Sequence, residues 1–154
     1  LDTVCVDRQA GSYLLESLTR HVGGVVPLGI GSASMAILAH LPDEEIEAVL
    51  TANAARYASY AVAGETIRGY LAQGRRDGFV TTDGHMIAGI AALAVPIRAE
   101  GSDVTAAIAI NLTSARLTES RKAQLLGMMR EEIAKIEAQI EVRPASRRLT
   151  PPSR

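Results

Sequence analysis

The stretch Met86-Ile-Ala-Gly-Ile-Ala-Ala-Leu-Ala-Val-Pro-Ile-Arg98 and the later run Val104-Thr-Ala-Ala-Ile-Ala-Ile-Asn-Leu-Thr113 decide the fold. In both runs the side chains alternate between two faces with a period of two, which is typical of β-strands. The link Glu100-Gly-Ser-Asp103 is a short turn, so the two strands are expected to pair antiparallel. Pro96 has no amide hydrogen to give to a ladder and therefore predicts an edge or a bulge at that point.

The two faces of these strands carry different side chains. In the second strand, Ala106, Ile108, Ile110 and Leu112 share one face with Val104, whereas Thr105, Ala107, Ala109, Asn111 and Thr113 form the other. Ala92 and Ala94 of the first strand stand beside this second face. Such small side chains leave room for a packed helix or for a ligand. Asn111 is the polar exception among the alanines, and its amide needs partners from the backbone or from a ligand.

The rest of the chain predicts shorter strands and several helices. The elements, in chain order, are strands over 3–8 and 12–19 around an Ala10-Gly11 turn, an extended piece over 25–28, a buried helix over 32–41, a helix from Pro42, a helix over 64–76 ended by Gly78, a strand over 79–82 with a turn at Gly84, the two long strands, and a last helix capped by Thr118. Short turns between consecutive strands favour an antiparallel sheet with helices on one or both faces. The sequence therefore predicts α+β architecture.

The last helix has a regular apolar stripe. Its members recur at spacings of three and four and are Leu126, Met129, Ile133, Ile136 and Ile140. Glu131 and Lys135 form a favourable i,i+4 pair on the same helix. The stripe predicts packing on the sheet, and a coiled-coil seam is the alternative.

Composition limits the function. The 154 residues correspond to one domain and include 16 basic and 17 acidic residues. Four of the arginines lie in the Pro-rich stretch Val142–Arg154, which predicts a disordered tail, and the remainder has 12 basic against 17 acidic residues, a charge of −5. With one Phe, four Tyr and no Trp, the chain lacks both the basic excess and the stacking surfaces of a nucleic-acid-binding module.

The sequence carries no signal for secretion or membrane insertion. It has neither a signal peptide nor an apolar run long enough to span a bilayer. The lone Cys5 cannot form an internal disulfide, which fits a cytoplasmic protein. The chain begins at Leu1 rather than Met, and we therefore expect a preceding segment in the whole protein.

The glycine-rich stretch Gly29-Ile-Gly-Ser-Ala-Ser34 matches G-x-G-x-x-G only in part, because Ser34 replaces the third glycine and no parallel crossover follows. We exclude a dinucleotide site, but a helix start of this kind is either an anion site or a tight turn with a Ser N-cap. No G-x-S-x-G occurs, and His21, His40 and His85 stand in separate segments without ligand spacing. The sequence predicts neither an enzyme nor a cofactor or metal site.

Three stretches carry a family resemblance. Val26–Glu45 joins Pro-Leu, a small-residue turn, a buried Leu-Ala helix and Leu-Pro-Asp-Glu-Glu, and it is followed by Gly78-Phe79 with Gly89–Ile97 and then by Ala106–Leu117. In this order they resemble the signature of the IclR family of bacterial transcriptional regulators, over about residues 3–141. Each motif alone is loose, and the combination is specific.

The resemblance implies a GAF-like effector-binding domain over 1–141, preceded in the whole protein by a winged helix-turn-helix DNA-binding domain that this chain lacks. Family members bind small organic acids and act as dimers or tetramers. We therefore expect a homo-oligomer that senses a small organic acid, binds DNA only through the missing domain and does not bind a membrane. A ligand-free structural dimerisation domain is the alternative.

The resemblance also implies a binding site. Its members are the backbone amides of Ser32 and Ala33, the side chains of Thr82 or Asp83, Ala92, Ala109 and Asn111, and walls formed by Leu15, Leu18, Val26, Ile30, Gly31 and Ile90. Some relatives have polar side chains where this chain has Ala92 and Ala109, and many have His-Ala-Thr in place of Gly29-Ile-Gly31. We therefore expect a more apolar pocket, suited to an aromatic or longer carboxylate.

Overall fold

A computed structural model of the chain describes residues 1–11, 21–84, 87–98 and 106–141. In chain order the elements are β1 (Asp2–Val4), β2 (Val25–Pro27), α1 (Ser32–Leu38), α2 (Asp43–Ala58), α3 (Gly64–Asp77), β3 (Val80–Asp83), β4 (Ile90–Ile97), β5 (Ala106–Thr113), a single 3₁₀ turn (Ser114–Arg116) and α4 (Glu119–Glu141). Strands β1 and β2 form an antiparallel pair. The α+β prediction is confirmed.

Within the described residues the main sheet has the order β3-β4-β5, and all of its pairs are antiparallel. Strand β3 pairs only with Ala91–Ala94, so the last part of β4 has a described partner on one side alone. Pro96 lies in that part, opposite Ala107. The edge that the proline predicted is therefore a local one, beyond the end of β3.

Helix α4 covers one face of the sheet. It begins after Thr118, whose Oγ1 accepts a hydrogen bond from the amide of Arg121 at 3.2 Å, as an N-cap does. The residues buried between helix and sheet are Leu93, Val95, Leu125, Leu126, Met129 and Ile133. Packing on the sheet is confirmed for this part of the helix, because three members of the predicted stripe are buried there.

Helix α1 covers the opposite face and contacts β3, β4 and β5. Met35 and Leu38 are fully buried, and α2 and α3 form an outer layer around them. A Cβ at Gly74 of α3 would lie 3.0 Å from side-chain atoms of Ala39 and Val80, so this glycine permits the close approach of α3. Helix α3 ends at Gly78, which has a φ of +75° as a left-handed C-cap.

Three predicted boundaries are wrong. The strand predicted over 3–8 is β1, which covers only Asp2–Val4 and pairs with β2. Helix α1 ends at Leu38 rather than at 41, since the amides of His40 and Leu41 bond to carbonyls three residues back in a tightened turn before Pro42. The long strand begins at Ile90 rather than 86, after Gly89 with its φ of +74°. The predictions for 12–19 and 142–154 lie outside the described residues.

Candidate functional site

The predicted site residues of the sheet lie in one row. Thr82 is the register partner of Ala92, and Ala92 is in turn the partner of Asn111. Directly paired residues of adjacent strands project on the same face, about 5 Å apart. Ala109 lies next along this face, opposite Ala94. A hydroxyl and an amide therefore flank a run of alanine methyl groups.

Exposure changes along this row. Thr82 is 5% exposed and Ala92 is 8% exposed, whereas Ala109 and Asn111 on β5 are exposed. Helix α1 lies across the same face and contacts all three strands. The face is thus covered near β3 and accessible near β5.

The start of α1 carries backbone amides that its own helix does not use. Gly31 is the N-cap with a φ of 86°, and no side chain caps the helix. The first helical bond runs from the amide of Met35 to the carbonyl of Gly31, so the amides of Ser32 and Ala33 precede the ladder. Ser32 is buried, and Ala33 is half-buried.

Ser34 has a structural task rather than the N-cap role that the sequence left open for a serine here. Its buried hydroxyl accepts a hydrogen bond from the amide of Gly29 at 2.5 Å and another from Thr3 Oγ1 at 3.1 Å. The N-cap interpretation is wrong because Gly31 already occupies that position. Through these two hydrogen bonds Ser34 connects the turn before α1 to strand β1.

The other predicted site residues are distributed around this face. Val26 and Ile30 are core residues at 4% and 1% exposure, and Ile90 is half-buried one pair away from the row. Asp83 is exposed and, by strand alternation, points to the face opposite Thr82. Leu15 and Leu18 lie outside the described residues.

Two residues of α2 that sequence reasoning missed hold the turn before α1. Tyr57 Oη donates to the carbonyl of Leu28 at 2.6 Å, and Asn53 Nδ2 donates to the carbonyl of Leu1 at 2.9 Å. Burial raises the pKa of Tyr57 despite opposing effects of Asn53 and Arg56, so the hydroxyl keeps the proton that it donates. The signal was present, because both residues continue the buried stripe of Ile46, Val49 and Leu50.

Other chemistry finds little support in the described part of the chain. His40 Nδ1 lies 3.0 Å from the carbonyl of Ala36, as expected for a histidine at a helix end. The described residues contain no cluster of three or more His, Cys, Asp or Glu that could hold a metal ion. No described helix is both long and apolar enough to cross a bilayer. A shallow depression of about 340 Å³ lies elsewhere, on α3 around Tyr70.

The chain is similar in sequence and in fold to known regulators. Residues 2–138 match the family described as bacterial transcriptional regulator IclR, C-terminal. An IclR homolog from Microbacterium hydrocarbonoxydans, complexed with 4-hydroxybenzoate, is 28% identical, with a TM-score of 0.71 over 89% of this chain and 55% of that one. The protein RHA06195 from Rhodococcus sp. RHA1 is 25% identical, with a TM-score of 0.75 over 92% of this chain and 57% of that one.

The fold likeness extends to more distant proteins. The IclR protein of Thermotoga maritima has a TM-score of 0.79 at 18% identity, over 91% of this chain and 57% of that one. The chain thus spans about 57% of the length of these solved relatives. Among proteins of curated function, none matches the sequence.

The fold and the matched sequence define the regulatory domain of a transcriptional regulator, a class of proteins that are not enzymes. This chain belongs to the IclR family, in which it corresponds to the C-terminal domain.

Proposed function

We propose that this domain senses a small organic acid and passes its presence to the rest of a dimeric or tetrameric regulator. The observation that carries the proposal is the row of Thr82, Ala92 and Asn111 on a sheet whose three strands all contact α1. The relative that is 28% identical and complexed with 4-hydroxybenzoate supports an aromatic acid as the effector class.

In the proposed complex the acid lies between α1 and the sheet. The carboxylate accepts hydrogen bonds from the amides of Ser32 and Ala33, where the helix dipole also favours negative charge. Thr82 and Asn111 bind polar groups from the two ends of the row. The apolar surroundings are formed by Ala92, Ala109, Val26, Ile30, Gly31 and Ile90. Asp83 points to the opposite face of the sheet and is not a ligand contact in this proposal.

The alanines set the expected ligand size. Methyl side chains at Ala92 and Ala109 offer no hydrogen bonds and occupy little volume, so a planar apolar body fits better than a small polar acid. A ring buried against them contributes through the apolar area removed from water, at about 25 cal/mol per Å². Larger aromatic carboxylates are therefore expected to bind more tightly than two-carbon acids.

A calorimetric titration tests this proposal. The panel contains 4-hydroxybenzoate, benzoate and glyoxylate, and we expect at least one aromatic acid to bind about tenfold or more tightly than glyoxylate. Asn111→Ala should weaken binding roughly tenfold, which corresponds to the loss of one hydrogen bond of about 1.4 kcal/mol. Gln139→Ala, which removes an exposed amide on α4, is the matched control and should leave the affinity unchanged.

Two results would contradict the proposal in different ways. A marked preference for glyoxylate would contradict the apolar pocket while leaving the sensing function intact. Failure of every acid to bind would contradict sensing and favour a ligand-free dimerisation domain.

The wider proposal concerns the whole protein. Residues 1–141 form the effector domain, a winged helix-turn-helix domain precedes it, and the regulator acts in the cytoplasm, where its operator and its metabolite meet. Effector binding would shift the arrangement of the subunits with a coupling free energy of about 1–3 kcal/mol.

A further inference from the structure

Two side chains of α2 hydrogen-bond to the turn between β2 and α1, and both bonds end on the carbonyl of Leu28. The Leu28 carbonyl accepts the hydroxyl of Tyr57 at 2.6 Å and the side-chain amide of Asn53 at 3.4 Å. Asn53 is 1% exposed and Tyr57 is 2% exposed, so both polar side chains are held inside the core. Four residues beyond Leu28 the chain reaches Ser32, where the proposed effector site begins. The two donors on α2 therefore help to fix the position of the residues that lead into α1.

A glycine makes this contact possible. Gly29 has a φ of +104°, and a Cβ there would lie 2.8 Å from Tyr57 Oη and 3.3 Å from its Cζ. Tyr57 therefore needs a residue without a side chain at 29 in order to reach the Leu28 carbonyl. Gly23, at a φ of +83°, has the same kind of backbone but open space where its Cβ would stand.

Asn53, one of these two donors, also holds the N-terminal segment that contains β1. Asn53 Nδ2 donates to the carbonyl of Leu1 at 2.9 Å, and that carbonyl also accepts the amide of Leu28 at 3.0 Å. Arg56 Nη1 donates to Asn53 Oδ1 at 3.0 Å, while its Nη2 lies 2.5 Å from a carboxylate oxygen of Asp2. The β1 segment and the turn before α1 are thus bound to one set of side chains.

A second, shorter connection reaches α1 itself. Thr3 Oγ1 of β1 donates to Ser34 Oγ, which lies in the first turn of α1 and also accepts the amide of Gly29. A displacement of the first turn of α1 must therefore strain the hydrogen bond that Thr3 of β1 donates to Ser34. Two polar routes, one through Ser34 and one through α2, connect the same two segments.

We propose that Asn53 and Tyr57 are positioning residues for the effector site and that they couple effector binding to strand β1. The inference rests on the proposed function, since it deepens the account of the same site. Neither residue belongs to the row on the sheet, so they act through the Leu28 carbonyl and not on the ligand. Coupling of this kind is reciprocal. Removing the hydrogen bonds of Asn53 and Tyr57 therefore lowers effector affinity, and bound effector stabilises the position of β1.

The first test compares Tyr57→Phe with Tyr60→Phe, a half-buried tyrosine of the same region. Calorimetry with 4-hydroxybenzoate should give an affinity three- to tenfold weaker for Tyr57→Phe and within twofold of wild type for Tyr60→Phe. Amide NMR shifts supply the readout that loss of stability alone would not change. In wild type the ligand should move the resonances of Thr3, Val4 and Cys5, and in Tyr57→Phe these movements should fall by half or more while those near Asn111 persist.

The second test needs no ligand. Gly29→Ala should lower Tm by more than Gly23→Ala does, and it should shift the amide resonances of Ser32 and Ala33. In the Tyr57→Phe background the excess over Gly23→Ala should become smaller, because the 2.8 Å contact with the hydroxyl is then gone while the 3.3 Å contact with Cζ remains.

The outcomes separate the two proposals. If wild type binds no acid of the panel, the proposed function fails. If it binds 4-hydroxybenzoate but Tyr57→Phe leaves the affinity and the β1 shifts unchanged, the positioning role is overturned while the sensing function stands. Equal effects of Gly29→Ala and Gly23→Ala would also overturn it.

Discussion

The two faces of the sheet differ in what fills them. On the α4 face the strands present Leu93 and Val95, packed against the large apolar side chains of the helix. On the α1 face the same strands present Ala92, Ala94 and Thr82. One strand, β4, thus carries large side chains on one side and small ones on the other.

This difference concerns how tightly each face is packed. Helix α4 fills its face with leucine, methionine and isoleucine, and the free energy of that face comes from apolar burial. The α1 face is covered near β3 but leaves Ala109 and Asn111 accessible. We infer that one face holds the domain together while the other is kept available for a ligand.

The largest effects are expected from two substitutions at neighbouring positions of β4, one that makes a large side chain small and one that makes a small side chain large. Leu93→Ala should lower the free energy of unfolding by about 3 kcal/mol, because Leu93 is fully buried, and should leave ligand affinity unchanged. Ala92→Leu should lower stability by less than Leu93→Ala does, because the neighbouring β5 residue Asn111 is exposed, and should weaken binding of 4-hydroxybenzoate more than tenfold. Denaturant unfolding and calorimetry measure the two quantities.

Val25→Ala, at a residue that is 52% exposed, is the control for Leu93→Ala and should lower stability by less than about 0.5 kcal/mol. If Ala92→Leu proves as destabilising as Leu93→Ala, the two faces are equally packed and the comparison fails.

A smaller effect is expected at the C-terminal end of α1. Arg75 donates from Nε to the carbonyl of Ala39 at 2.7 Å and from Nη2 to that of Leu41 at 3.0 Å, and it pairs with Asp43 at 2.7 Å. These bonds satisfy the carbonyl of Ala39, the C-cap of α1, and that of Leu41 in the turn that follows. Because the side chain is half-exposed, Arg75→Gln should reduce stability by only about 1 kcal/mol in chemical denaturation.

Arg76→Gln is the neighbouring control. Arg76 pairs with Asp77 at the surface, and its loss should change stability by less than about 0.5 kcal/mol. Equal effects of the two substitutions would show that α1 is held by packing alone.

The smallest effect on stability is expected in the outer layer of α2 and α3. This layer lies away from both faces of the sheet and serves as a reference for them. The guanidinium of Arg68, by its hydrogen bond, holds the pKa of Glu47 below its ordinary value. This pair stabilises the folded state above the ordinary carboxyl pKa, and the contribution is lost as pH falls through the lowered value. Glu47→Gln should therefore reduce Tm slightly at pH 7, by less than about 2 °C, and not at all at strongly acidic pH.

Thermal unfolding at several pH values measures this difference. In an Arg68→Gln background, Glu47→Gln should leave no pH-dependent difference, and added salt should shrink the effect in wild type. A Tm difference that persists at acidic pH would assign the effect to something other than this ion pair.

Much of the fold could be predicted because its signals are local. The alternation along β4 and β5, the Thr118 cap and the Gly78 helix end all follow from residues within a few positions of each other. The row of Thr82, Ala92 and Asn111 was reached through the resemblance to a family, and the strand register then placed its members side by side.

Other features depend on contacts between distant parts of the chain. The strand pairing of β1 with β2 joins residues more than twenty positions apart, and nothing local in 3–8 marks where the strand stops. The serines at the start of α1 predicted an N-cap, but Gly31 holds that position and the Ser34 hydroxyl accepts hydrogen bonds from Thr3 and Gly29. Asn53 gave only the pattern of a polar residue in an apolar stripe.

The sequence by itself determined the class of fold, the two unlike faces of the sheet and the family, since these depend on periodicity and short motifs. Only the tertiary structure decided which hydroxyls and side-chain amides are already bound within the fold. The physical reason is that a buried polar group must find a partner, and the partners of Ser34, Asn53 and Tyr57 come from segments up to about fifty residues away.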